Sequence, residues 1–278
     1  MDALLLPFQL PFAQNAFLVG LLVAVPTALL SCFLVLKGWA LMGDAVSHAV
    51  LPGVVLAAIA GLPLLLGAFA AGMACAVLTG YVADNSRVKR DTVMGIVFSG
   101  FFAAGIVLYV AIDTTAHLDH ILFGNLLGVG PADLWTAGLV AAAVTAVVAA
   151  KWRDLMLHAF DPAQAKASGL PVRALHYGLL AMLSLTVVAT LSATGLILAI
   201  GLLIAPGAIA FLVVRRFAAM LVVAVLVCAA SMAAGIHASF FLDSAPAPTV
   251  IVFLTLTFLA VFAARSLRDR RMGRMRPA

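Results

Sequence analysis

Nine stretches of about 20 mostly apolar residues, separated by short polar segments, restrict this chain to one kind of fold. A backbone in hydrocarbon must satisfy its own N–H and C=O groups, and runs of this length do so as helices. They fall at roughly 15–36, 41–60, 62–83, 92–112, 131–150, 174–192, 195–214, 217–236 and 247–264. Composition agrees, since the chain is 65% hydrophobic and only 10% charged, with a mean hydropathy of +1.20, where soluble domains carry about 25% charged residues. The expectation is an all-α polytopic transmembrane bundle of eight to nine spans over residues 1–264, followed by a basic tail over 265–278. Two separations are thin, Gly61-Leu62-Pro63 and Ser192-Ala193-Thr194, and merging or re-entry at either would give eight. No cleavable signal stands out, because residues 1–14 lack a basic start.

Charge placement tests the count. Alternating nine spans gathers Lys37, the Arg87–Arg90 cluster, Lys151, Arg153, Lys166, Arg173, Arg215, Arg216 and the arginines of the tail on one side, which accounts for all 16 Lys and Arg residues. Asp2, Asp113, Asp119, Asp133 and Asp243 fall on the other. This partition assigns the basic side, and the C-terminus, to the cytoplasm. The net charge of +5 therefore reflects membrane orientation, and the absence of a basic face argues against nucleic acid. The six tail arginines suit solvent or lipid headgroups. Cys32, Cys75 and Cys228 are isolated in apolar segments and read as small core residues.

The second span carries an anomaly, Met42-Gly43-Asp44-Ala45-Val46-Ser47-His48-Ala49-Val50-Leu51-Pro52-Gly53. A spacing of four stacks Asp44 and His48 on one helical face. An ionisable Asp at membrane depth costs on the order of 3 kcal/mol, so such a pair calls for a partner such as an ion. Pro52 has no N–H and leaves the carbonyl of His48 without its helical bond. Carboxylate, imidazole and carbonyl in one turn read as a divalent-metal site; the bland alternative is a mutual hydrogen bond that fixes helix packing. Pro206, inside Gly195–Ala208, is a second helix break, and Pro52 and Pro206 are candidates for paired interruptions along one pathway or for simple packing kinks.

Two loops stand apart. In 113–130, His117 and His120 lie three apart in a segment apolar enough to re-enter the membrane, and His120 is a candidate outer gate or docking contact. In 151–173, Asp161 to Pro171 reads as a short helix capped by Asp161, begun by Pro162 and ended near Gly169. It fits a knob for a cytoplasmic partner or a connector on the membrane surface. No GxxxxGK[ST] occurs, so the chain does not cradle ATP in a P-loop.

The motifs in order are Met42-Gly43-Asp44 with Ser47-His48-Ala49 and Leu51-Pro52-Gly53; Asp91-Thr92 with Gly95-Ile96; His120 to Asn125; Phe160-Asp161-Pro162 with Ala165-Lys166-Ala167 and Gly169; and Gly195 with Leu203 to Ala208. In this arrangement the chain resembles the integral-membrane permease subunit of bacterial ABC importers for manganese, zinc and iron. The resemblance implies a location in the bacterial inner membrane and a homodimeric or pseudo-dimeric core. It also implies a separate ABC ATPase subunit inside and an extracytoplasmic metal-binding protein outside. It places Asp44 and His48 in the ion path and makes Asp161, Ala165 and Gly169 part of the ATPase-coupling helix. There the pattern departs from Glu-Ala-Ala, three residues, Gly, because Ala163 and Gln164 stand in place of Glu and Ala. The ion would be cargo, with no resident cofactor, and the chain itself no enzyme. Nitrogen and oxygen donors without thiolate fit Mn²⁺, Fe²⁺ or Zn²⁺ and argue against Cu⁺, and the Ser47-to-Gly53 stretch resembles the manganese and iron branch, which favours Mn²⁺ or Fe²⁺. The rival is a secondary metal transporter driven by a proton or sodium gradient.

Overall fold

The computed structural model describes residues 9–111 and 126–274, and the described residues contain helices joined by short turns, with no strand. The helices are α1 (Pro11–Lys37), α2 (Met42–Ala49), α3 (Leu51–Ala60), α4 (Leu64–Asp84), α5 (Arg90–Ala111), α6 (Pro131–Phe160), α7 (Pro162–Ala167), α8 (Val172–Thr194), α9 (Leu196–Val213), α10 (Phe217–Leu242) and α11 (Pro246–Arg274). With α2 and α3 as one unit, nine candidate membrane spans result among the described residues, as the nine-span alternation requires.

Both separations are real breaks, but the second falls at Gly195, because Ser192-Ala193-Thr194 closes α8 as its last helical turn. After α3, the Gly61 N–H bonds to Ala58 O and the Leu62 N–H to Ala57 O, with Gly61 at φ 63°. This double bond satisfies carbonyls that a helix end leaves open, and it needs a left-handed residue that glycine supplies without a Cβ clash. Between α8 and α9, Gly195 adopts φ 84° and ψ 171°, a region essentially closed to other residues.

Helix ends beyond the membrane were the poorest part of the sequence expectation. α6 continues to Phe160, where a loop is expected from residue 151. Nothing between Lys151 and Phe160 breaks a helix, and Lys151 pairs with Asp154 at 3.2 Å one turn on. It stops at Asp161 because Pro162 disfavours helical backbone in the residue before it. α11 likewise runs through the start of the basic tail to Arg274.

Packing is organised on α1 and on the α2–α3 unit, the two most enclosed spans. Leu30, Phe33 and Leu34 of α1 join Val144 and Val148 of α6 and Leu179 and Leu183 of α8, while Val19, Val23 and Ala28 join residues of α9 and α10. Several hydroxyls inside this apolar mass bond their own helix, as Thr27 Oγ1 to Val23 O at 2.6 Å and Ser31 Oγ to Ala28 O at 2.7 Å, which satisfies these donors without a partner from outside.

In lipid, helices gain little from excluding water and instead rely on close van der Waals contact at small residues. A Cβ on Gly207 of α9 would lie 2.6 Å from Ser31 backbone atoms of α1, and one on Gly53 of α3 would fall on the Gly67 carbonyl of α4. These are backbone-on-backbone crossings. Gly53→Leu is expected to destabilise the chain by about 1–3 kcal/mol or more, the range for overpacking. Gly100→Ala, where nothing lies within 4 Å, should be neutral or slightly stabilising. Thermal unfolding of the detergent-solubilised variants checks the contrast.

Candidate functional site

α2 begins at Met42 after a turn in which Trp39 N–H bonds to Leu34 O and Met42 N–H to Trp39 O. Helical spacing then brings Asp44 and His48 together, with Asp44 Oδ1 3.4 Å from His48 Nε2 and both side chains a little over one quarter exposed. Ser47 is fully buried and turned away, donating its hydroxyl to Gly43 O at 2.8 Å. The imidazole is clamped by two rings of α5, Phe98 at 5.9 Å in a stacked arrangement and Phe102 at 5.2 Å edge-on. Its Nδ1 is buried without a hydrogen-bond partner. The ring is therefore held by aromatic packing, and among the described residues its polar contact is Asp44.

The position of this pair in the bundle follows from what touches α2. Phe98 and Phe102 lie about 12 and 18 Å along α5 from Arg90, at 1.5 Å per residue. A Cβ on Gly43 would meet Leu203 Cδ1 at 2.9 Å, and one on Gly72 would meet Val46 Cγ1 at 3.0 Å; Leu203 and Gly72 both stand near the centres of α9 and α4. Three neighbouring helices thus put Asp44 and His48 near mid-bundle. The distance from Lys37 along the sequence suggests a site only one turn deep. The intervening turn carries α2 inward, which explains the difference.

The separation of 3.4 Å is long for a strong hydrogen bond but suits two donors sharing an ion. With metal–ligand distances of about 2.1 Å, it corresponds to an angle near 110° at the metal. Two donors do not complete a shell, and among the described residues no group of three or more His, Cys, Asp or Glu is placed to hold a metal.

The other sequence candidates separate in space. The chain passes from α2 to α3 at Val50 in right-handed helical conformation, so Pro52 interrupts hydrogen bonding more than direction. Its ring packs by Gly105, where a Cβ would lie 2.9 Å from Pro52 Cδ. Pro206 is buried inside unbroken α9, next to the Gly207 crossing with α1. Asp161 caps α7, its Oδ1 accepting from the Ala163 and Gln164 N–H groups at 2.9 Å each. Ala165 is fully buried against the bundle, whereas its neighbours Gln164 and Lys166 are exposed, and Gly169 turns the chain with φ 78°. Thus α7 is a small capped protrusion at the basic end. His117 and His120 lie outside the described residues.

Sequence reasoning missed Phe98 and Phe102, whose apolar neighbours make them look like ordinary span residues. It also missed a polar cluster at the basic end. Lys37 Nζ lies 3.2 Å from His158 Nε2, and Arg90 pairs with Asp84 at 2.7 Å. Lys37 and His158 lie 121 residues apart, and they meet the Asp84–Arg90 pair of the α4–α5 turn only in the folded chain, so no local pattern marks the cluster.

Nine spans enclosing a polar pair at mid-depth define a multi-pass membrane transport protein. The chain belongs to the ABC 3 transport family, whose profile matches residues 9–265. It is 52% identical over 270 residues to the chelated iron transport system membrane protein YfeD of Yersinia pestis, covering 96% of this chain and 91% of that one. It is 42% identical over 253 residues to the manganese transport system membrane protein MntB of Synechocystis, covering 91% and 83%. Among solved structures, PsaBC from Streptococcus pneumoniae in complex with Fab is similar with a TM-score of 0.84 and 34% identity, covering 94% of this chain and 95% of that chain. Membership sets the ATP-driven class above the gradient-driven carrier as the reading of the fold.

Removing the cap tests whether α7 is a preformed element. Asp161→Ala should cost about 1 kcal/mol of local helix stability, seen as roughly fivefold faster amide exchange over residues 163–168, while Asp161→Asn should retain most of the protection.

Proposed function

We propose that this chain is the membrane-spanning permease of an ATP-driven importer for divalent transition-metal ions, with Asp44 and His48 as ligands on the ion path. The observation that carries the reading is the placement of a carboxylate and an imidazole 3.4 Å apart at mid-bundle depth, where two such groups without an ion are costly. The donor set fits Mn²⁺, Fe²⁺ or Zn²⁺ alike, and the names of the iron and manganese relatives favour Mn²⁺ or Fe²⁺. The ion is cargo rather than a resident cofactor. Two ligands suit a conduit that must release what it binds.

A second copy, or a paralogous chain, facing the open side of the Asp44–His48 pair would supply the remaining donors. The basic end faces the cytoplasm of a bacterial inner membrane. There α7 meets a separate ATP-hydrolysing subunit through its exposed residues, with Asp161 holding the helix, Ala165 seating it and Gly169 ending it. An extracytoplasmic metal-binding protein delivers the ion at the opposite end, where His120 is a candidate docking or gating group. ATP-driven closure of the partner subunits rocks the helices on their glycine crossings. A dehydrated ion then passes from the delivery protein to the paired ligands and inward.

Metal uptake by the complete assembly in proteoliposomes tests this. Asp44→Ala and His48→Ala should each lower Mn²⁺ or Fe²⁺ uptake at least about tenfold, since loss of even an outer partner of a metal ligand costs roughly 10–100-fold. Uptake at the normal rate by folded variants would remove the pair from the path. Uptake by this chain alone under an ion gradient would restore the carrier reading.

A further inference from the structure

At the basic end, the last turns of α4 and the first turns of α8 border a cavity of ≈ 800 Å³, floored by Lys37, Trp39 and His158 and touching Pro162 of α7. Its charges are unbalanced. Lys37, Arg90 and Arg173 line it against one carboxylate, Asp84, which Arg90 already holds at 2.7 Å. Among the described residues Lys37 and Arg173 have no carboxylate partner. Lys37 instead lies 3.2 Å from His158 Nε2 and 4.3 Å from the Trp39 ring centre.

An ammonium group only donates, so the contact with Lys37 makes His158 Nε2 the acceptor and leaves the Lys37 charge without an anion. The lining thus carries three cationic side chains against one carboxylate that is already paired. That excess of positive charge disfavours a metal cation and favours an anion.

The other wall identifies the kind of anion. Ala74, Leu78 and Tyr81 lie on one face of α4 and extend the cavity about 10 Å from the charged end toward the bundle centre. Leu78 is 42% and Tyr81 67% exposed. A free phosphate has no use for such a wall, whereas an acyl chain does. Tyr81 and Tyr177, both exposed, complete the rim with the amphipathic rings favoured at headgroup level.

We propose that this cavity binds an anionic phospholipid, with the phosphate received by Lys37 and Arg173 and an acyl chain laid along Ala74, Leu78 and Tyr81. The lipid would sit beneath α7 and brace the α7–α8 segment. The site stands apart from the Asp44–His48 pair and holds independently of what that pair binds.

Native mass spectrometry of the delipidated full-length protein, titrated with phosphatidylglycerol, phosphatidylethanolamine or inorganic phosphate, tests it. Phosphatidylglycerol should bind in preference to phosphatidylethanolamine. Arg173→Gln, at an exposed position without an ion-pair partner, should weaken it about fivefold, and Lys37→Gln by at least as much. An unchanged unfolding temperature for Arg173→Gln shows that the loss is local. Equal binding of the two lipids, or undiminished phosphatidylglycerol binding by Arg173→Gln, overturns the proposal. Phosphate binding without lipid preference overturns it in favour of a free anion. Displacement of the lipid when the ATP-hydrolysing partner assembles assigns the cavity to an acidic side chain of that partner, and overturns it equally.

Discussion

The cost of keeping a carboxylate and an imidazole in the middle of an apolar bundle constrains the rest of this structure. An isolated charge there is expensive, so the surrounding helices must hold the pair in one geometry and leave an opening through which its demand for ligands is met. Both requirements are visible. Phe98 and Phe102 fix the imidazole plane, Gly43 lets Leu203 of α9 approach the α2 backbone, and Ser47 spends its hydroxyl on Gly43 O. The Asp44 and His48 side chains nevertheless remain accessible on one side. A site meant only to lock two helices together would have buried and saturated them.

The rest of the bundle is built to bring helices close without polar glue. Gly53 against Gly67, Gly207 against Ser31 and Gly235 against Val250 are contacts at backbone distance. Contacts of this type hold by shape, so they can slide or pivot without breaking buried hydrogen bonds. Among the described residues the ion pairs fall at two levels, the mid-depth pair and the basic end. At the basic end the Lys37–His158 contact and a bond from Arg265 to Leu212 O draw distant segments together, and the Arg90–Asp84 pair closes the turn between α4 and α5. Short helix α7, capped by Asp161, stands on that end beside the cationic cavity.

How much was legible in the sequence depends on whether a signal was local. The spans were legible because hydrocarbon thickness imposes their length, and the turn after α3 because Gly61 and Pro63 mark it, whereas the break before α9 fell one residue beyond the expected Ser192-Ala193-Thr194, at Gly195. Asp44 and His48 were legible because four-residue spacing makes a pair wherever a helix forms, and Asp161 because its cap is sequence-adjacent. Their depth was not, since it depends on how the Gly38–Leu41 turn feeds α2 against α4, α5 and α9. The extensions of α6 and α11 escaped because a helix can continue past the membrane without changing its local pattern. The cavity at the basic end escaped because Lys37, Asp84, His158 and Arg173 meet only in three dimensions.

The central claim is that Asp44 and His48 together ligate a transported ion. Pulsed EPR of Mn²⁺ trapped in the assembled transporter addresses it directly, because a directly bound imidazole leaves a nitrogen modulation on the manganese signal. The account predicts that modulation in the unaltered protein and its loss in His48→Ala, with manganese retained weakly on Asp44. An unchanged nitrogen signal in His48→Ala would place the ion elsewhere and contradict it.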